Sequence, residues 1–243
     1  MLRSLVSCIP EEDLKSQKRR KRKIDRRKKA ICWLLVDLAV AAVVLALLLY
    51  KPSHYRVVAP GAAGYEDGQV HPYLSHELLP DFYNGAQRGK PFELVVVEDK
   101  INEAIAGWSE ESEGVSLSAP SLVFLPGRVV LMATANIRGA KLVVSAVLEP
   151  KIDEQGLLDL GVAKLRVGAM NITFLAKMMA KRMYQHQLAT VRVDTEDART
   201  MIAASLLNNE PFEPIFKGED KKVRLEEITI TKGKLTLRFV PAQ

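Results

Sequence analysis

Residues Val115 to Val167 read VSLSAPSLVFLPGRVVLMATANIRGAKLVVSAVLEPKIDEQGLLDLGVAKLRV, and this stretch decides the fold. Its β-branched and apolar residues fall into four runs, 115–125, 128–137, 140–152 and 157–167. Pro126-Gly127, Arg138-Gly139 and Asp153-Glu154-Gln155-Gly156 separate them with turn chemistry. Connections this short join antiparallel neighbours, so three successive hairpins make a meander. In KLVVSAVLE, Leu142, Val144, Ala146 and Leu148 face one way, and Val143 and Val147 face the other. Both faces are therefore partly apolar. Either helices cover both, or one face lines a groove for an apolar ligand.

Working outward toward the C-terminus, NITFLAKMMAKRMYQHQ (171–187) places Ile172, Leu175, Met179 and Met183 on one stripe, widened by Phe174 and Met178. Lys177, Lys181 and Arg182 lie elsewhere on the wheel, so an amphipathic helix is expected. Methionine fills irregular cores and also suits adaptable apolar surfaces. Val143, Val147, Phe174, Met178, Met179 and Met183 are accordingly the candidate ligand-lining residues. A further helix capped by Asp194 or Thr195 is expected, with Ala198, Met201, Ile202 and Leu206 inward. PFEPIF (211–216) reads as a short edge. VRLEEITITK and KLTLRFV flank Lys232-Gly233 and alternate Ile228, Ile230, Leu235, Leu237 and Phe239 with polar residues, as a hairpin with one dry face does.

Toward the N-terminus, PFELVVVE (91–98) is a strand by its apolar run. Asp99 is placed to cap a helix whose Ile101, Ala104, Ile105 and Trp108 share one face, and ESEG (111–114) follows as a turn. HPYLSHELLPDFYNGAQRG is expected to be helical through Leu74, Leu78 and Phe82, broken or kinked at Pro80 and ended by Gly85 and Gly89. Residues 51–70 carry Pro and Gly without periodicity and read as a linker. The class expected is α+β: an N-terminal transmembrane helix, then a long curved antiparallel sheet, meander plus C-terminal hairpin, packed on a few amphipathic helices.

Ile31 to Tyr50 (ICWLLVDLAVAAVVLALLLY) is apolar or aromatic at nineteen of twenty positions. As a helix it is about 30 Å long, the thickness of a bilayer's hydrocarbon core. Lys18 to Lys29 before it holds ten cations in twelve residues, which the positive-inside rule places in the cytoplasm. The expected division is a basic cytoplasmic tail (1–29), a transmembrane signal anchor (30–50), the linker, and an extracytoplasmic α+β domain (71–243). The apolar run is too long for a cleaved signal core, and LVSC (5–8) lacks the apolar stretch that a lipoprotein box follows. Asp37 is the one ionisable residue in the span and the candidate contact with a membrane partner.

Charge and motifs narrow the function. The net charge of +6 is confined to the tail, since residues 1–29 carry +8 and residues 51–243 carry −1. The domain thus has no nucleic-acid footprint, and the tail's expected partners are anionic headgroups. Both cysteines, Cys8 and Cys32, precede or lie in the anchor, so the domain must stand on its core without disulfides. His54, His71, His76 and His186 have no metal-ligand spacing, Glu110, Glu111 and Glu113 lack calcium-loop spacing, and no nucleophile, zinc or phosphate-loop motif occurs. No cofactor and no catalytic activity are expected. An apolar ligand or an envelope protein is the expected partner.

The segments INEAIA, LMATANIRGAKLVVSAVLEPKI, GLLDLGVAKLRVGAMNITFLAKMMAK and EEITITKGKLTLRFVP, in this order behind a basic tail and one anchor, resemble the YpmS-like family of bacterial membrane-anchored proteins. The resemblance covers roughly residues 90–241 and leaves 72–88 outside it. Its most specific part is Glu149-Pro150-Lys151, followed by a Gly turn and a strand ending at Val167-Gly168. It implies no catalytic residues. It implies a shape similar to lipid-binding half-cylinders in which a curved sheet wraps a long helix, an analogy of fold that does not fix function.

Overall fold

In the computed structural model, the described residues are 11–57, 70–112, 114–178, 201–202, 205–206, 210–218 and 221–242. The chain divides into two units, Met1–Leu47 and Leu48–Gln243. The described residues of the first form one helix, α1 (Glu11–Leu48), which continues from the basic tail through the apolar run. Its Ile31–Leu48 segment has a mean hydropathy of 2.7 and is long and apolar enough to cross a membrane. The side chains of residues 31–46 are exposed.

The second unit is α+β. A six-stranded antiparallel sheet runs in the order β2 (Ser109–Ser112), β3 (Val115–Leu125), β4 (Arg128–Ile137), β5 (Ala140–Leu148), β8 (Val162–Val167), β9 (Met170–Asn171). A four-stranded antiparallel sheet runs β1 (Phe92–Val97), β12 (Lys234–Pro241), β11 (Lys221–Thr231), β10 (Ile215–Gly218). Meander and C-terminal hairpin thus belong to two hydrogen-bonded sheets, not to one. The sheets meet at their turns: Gly127 N–H donates to Ile230 O (3.1 Å) and Gly233 N–H to Phe124 O (3.3 Å). Val96, Phe124, Val129 and Ile230 form the core there.

The expected third hairpin is divided. Pro150 has no N–H for a ladder, so β5 stops at Leu148 with a register shift opposite Val162. Lys151–Ile152 (β6) and Leu158–Asp159 (β7) instead form a separate ribbon around the Asp153 turn, where Asp153 Oδ1 accepts the N–H groups of Gln155 and Leu157. ESEG is strand at Glu111 and Ser112, because Ser109–Ser112 pairs with Val115–Ser118; Gly114 is in the turn and residue 113 lies outside the described residues.

The helices also correct the sequence reading. A π-helical turn (Tyr73–Leu78) runs into α2 (Leu79–Gln87), and Pro80 sits in the first turn of α2, where no amide donor is needed. Gly85 does not end the helix. It is buried inside α2, and a Cβ there would collide with the ring of Phe92, so the strand lies directly on the helix backbone. Gly89, at φ +64, follows the end. Asp99 is not the cap of α3 (Glu98–Ile105). Extended Val97 is, and it makes no side-chain capping bond. Ile101 packs against the Val96, Phe124, Val129 and Ile230 core as expected, and Ala104 and Ile105 are half-buried. The fully buried positions, however, are Asn102 and Ala106, and Trp108 is exposed.

Residues 51–57 are not a free linker. Tyr55 is buried, and its hydroxyl bonds Ala119 O and Thr134 Oγ1, both at 2.7 Å.

Candidate ligand-binding site

Register brings Leu131 of β4, Ala146 of β5 and Leu165 of β8 side by side on one face of the six-stranded sheet. Alanine between two leucines leaves a depression in that face. Leu148 and Val162 extend it along the strands.

The helical residues 173–178 are fastened over it by the backbone of Leu165. Leu165 N–H donates to Thr173 Oγ1 (2.8 Å), and Leu165 O accepts Ile172 N–H (2.9 Å). Asn171 Oδ1 accepts Thr173 N–H (3.0 Å), which caps the start of the helix. Thr173 and Ala176, at i and i+3, then line the depression, and exposed Lys177, at i+4, borders it. Leu206 supplies another wall. Its neighbour Ser205, fully buried, accepts Leu160 N–H at 3.0 Å.

The result is an open pocket of about 200 Å³, lined almost wholly by carbon. A cavity of ~150 Å³ suffices for a benzene-sized group. Leu131 remains 38% exposed although it lines the pocket, so the apolar floor is reached from solvent.

The candidate residues lie elsewhere than expected. Val143 and Val147 are on the opposite face of β5 from Ala146, beside buried Ser145, and Val143 pairs with Thr134, the residue that Tyr55 engages. The face with the pocket is the Leu142–Ala146–Leu148 face. Phe174 is 83% exposed and Met178 is exposed; both project from the helix away from the pocket lining. Met179 and Met183 are outside the described residues, as are Cys8, His186 and Ala198. Ile202 is exposed rather than inward. Asp37 is exposed on α1. Among the described residues no cluster of His, Cys, Asp and Glu has the arrangement of a metal site.

A larger cleft of mixed polar and apolar lining, about 790 Å³, lies between α3, the outer edge of β3 and residues Ser53, His54 and Arg56. Its principal side chains are already engaged. Asn102 donates from Nδ2 to Leu122 O (2.8 Å) and accepts Leu122 N–H at Oδ1 (2.7 Å), as a neighbouring strand would. Glu98 Oε2 accepts Phe124 N–H at 2.6 Å. These groups close a strand edge that would otherwise be open to pairing. Sequence reasoning missed Tyr55, Glu98 and Asn102. The available signal was an asparagine beside Ile101 in a helix whose other polar residues, Glu98, Asp99, Lys100 and Glu103, are all charged.

Searches of the chain against protein-family models, curated proteins and solved structures give no match.

Proposed function

We propose that the chain is a membrane-anchored, non-catalytic binding domain that holds an apolar group, with the basic residues 18–29 keeping its N-terminus in the cytoplasm and the domain on the other side. The observation that carries this reading is the carbon-lined, solvent-reachable pocket over Ala146. Apolar floor left open on a sheet is more consistent with a ligand site than with unfinished packing, because interiors otherwise fill to crystal density. Each methylene moved from water into it contributes about 0.8 kcal/mol, so half a dozen give about 5 kcal/mol before the cost of association.

The test uses the full chain in lipid nanodiscs and a C16 chain carrying a diazirine in its tail. Photolabelling should concentrate on peptides of β4, β5 and β8, compete with unlabelled chain, and fall at least fivefold in Ala146→Phe and in Ala176→Phe, while both variants keep the thermal transition of the parent. Labelling that ignores both plugs would sink the reading.

A second reading rests on Asp37. A carboxylate within an apolar span is costly, up to ~3 kcal/mol, and calls for a partner group. On that reading the chain is a bitopic scaffold in envelope assembly, and Asp37→Leu changes what crosslinks to the anchor.

A further inference from the structure

Among the described residues that line the apolar pocket, only Thr173 and Lys177 have polar side chains, and Lys177 is the one charged group. Thr173 is committed locally: its Oγ1 accepts Leu165 N–H at 2.8 Å and donates to Asn171 Oδ1 at 2.6 Å. Lys177 stands one helical turn further on, both exposed and part of the lining, which puts it on the solvent side. No carboxylate lines the pocket among the described residues. A lysine stem covers apolar surface while its ammonium stays in water. A cation therefore waits where a buried chain would emerge.

We propose that the ligand is a free fatty acid, its tail over Ala146 and its carboxylate paired with the Lys177 ammonium. This rests on the apolar-binding reading above and adds the head group to it. The volume favours one chain: about 200 Å³ takes a segment of a single tail, not the paired tails of a phospholipid.

The experiment uses the full chain in phosphatidylcholine nanodiscs with two C16 diazirine probes differing only in the head, an acid and an alcohol. The acid-to-alcohol labelling ratio on the β4, β5 and β8 peptides is compared between the parent, Lys177→Gln and Lys177→Arg. Partition of the probes into the bilayer is common to all three proteins and cancels. The parent ratio should exceed that of Lys177→Gln by about fivefold, the size of one exposed charge-assisted pair. Lys177→Arg should keep the parent ratio, and alcohol labelling should be the same in all three. A ratio untouched by Lys177→Gln overturns the head-group assignment and leaves the apolar-binding reading standing. Pocket labelling by neither probe overturns both. If phosphatidylglycerol added to the discs removes the Lys177-dependent part of the ratio, the head recognised is a phospholipid phosphate and the free acid is wrong.

Discussion

The two sheets of the domain start from similar alternating sequences and finish differently. On the four-stranded sheet, Phe239 of β12 stacks on Phe92 (centroids 5.3 Å apart, planes 20° apart) and meets Phe82 and Phe216 edge-on at 5.4 and 6.0 Å. Helix α2 and the β6–β7 ribbon close over these rings, with Ala86, Leu94, Leu158, Val223 and Leu225 in the same cluster. On the six-stranded sheet the corresponding central residue is Ala146, and a half-open pocket stands where the rings would be. Apolar alternation makes a sheet face bury something. Side-chain volume decides whether the protein supplies it or leaves room for a ligand.

The largest expected effect breaks the filled side. Phe239 is 4% exposed, and Phe239→Ala removes a ring with three aromatic neighbours. A cost of about 3–5 kcal/mol is expected, lowering the melting temperature of the full chain in nanodiscs by roughly 10 °C. On the open side, Ala146→Phe adds a ring and should shift stability by no more than about 1 kcal/mol, against the 1–3 kcal/mol that overpacking a filled core costs. Equal losses from the two substitutions would show that both faces are packed alike and would end the contrast.

An intermediate effect is expected at the seam where the sheets join. Asn102→Ala leaves Leu122 N–H and C=O without their side-chain partner at a site that is 9% exposed. About 2–4 kcal/mol should be lost, and amide exchange at Leu122 should quicken while exchange at Leu94 in the other sheet stays slow. If exchange quickens in both sheets together, they unfold as one body and their difference is confined to packing.

Strand existence was legible in the sequence because alternation and turn residues report local geometry. β3, β4, β11 and β12 lie where Pro126-Gly127 and Lys232-Gly233 put them. The helix long and apolar enough to cross a membrane was legible for the same reason, as nineteen apolar residues in twenty need no tertiary information. What failed depends on contacts between separate elements, some only seven or eight residues apart. Gly85 looked like a helix end because only the approach of Phe92 explains it. Residues 51–57 looked like linker because Tyr55 finds its partners at Ala119 and Thr134. The pocket was sought on the Val143 face, although sequence had separated the two faces correctly. Which one stays open is set by the position of 173–178 over Leu165, and no local pattern encodes that.

The smallest effect concerns what holds the helical cover on the filled side. The Lys100 ammonium pairs with the Glu77 carboxylate between α3 and the π-helical turn, and sits 5.2 Å from the centre of the Tyr73 ring. Both side chains are about half exposed, so solvent screens the pair. The hydrogen bond to Glu77 raises the Lys100 pKa above its ordinary 10.5. A group whose pKa is raised by folding contributes stability below its unfolded value and loses it as pH climbs through the folded one. Glu77→Gln should therefore lower the melting temperature by about 1 °C or less at neutral pH. That difference should stay constant up to about pH 10 and vanish only above 10.5. Buried rings, not this surface charge, are then what keep the cover closed. A difference of several degrees at pH 7 that disappears in molar salt would reverse that ranking, and the filled sheet would owe its closure to electrostatics.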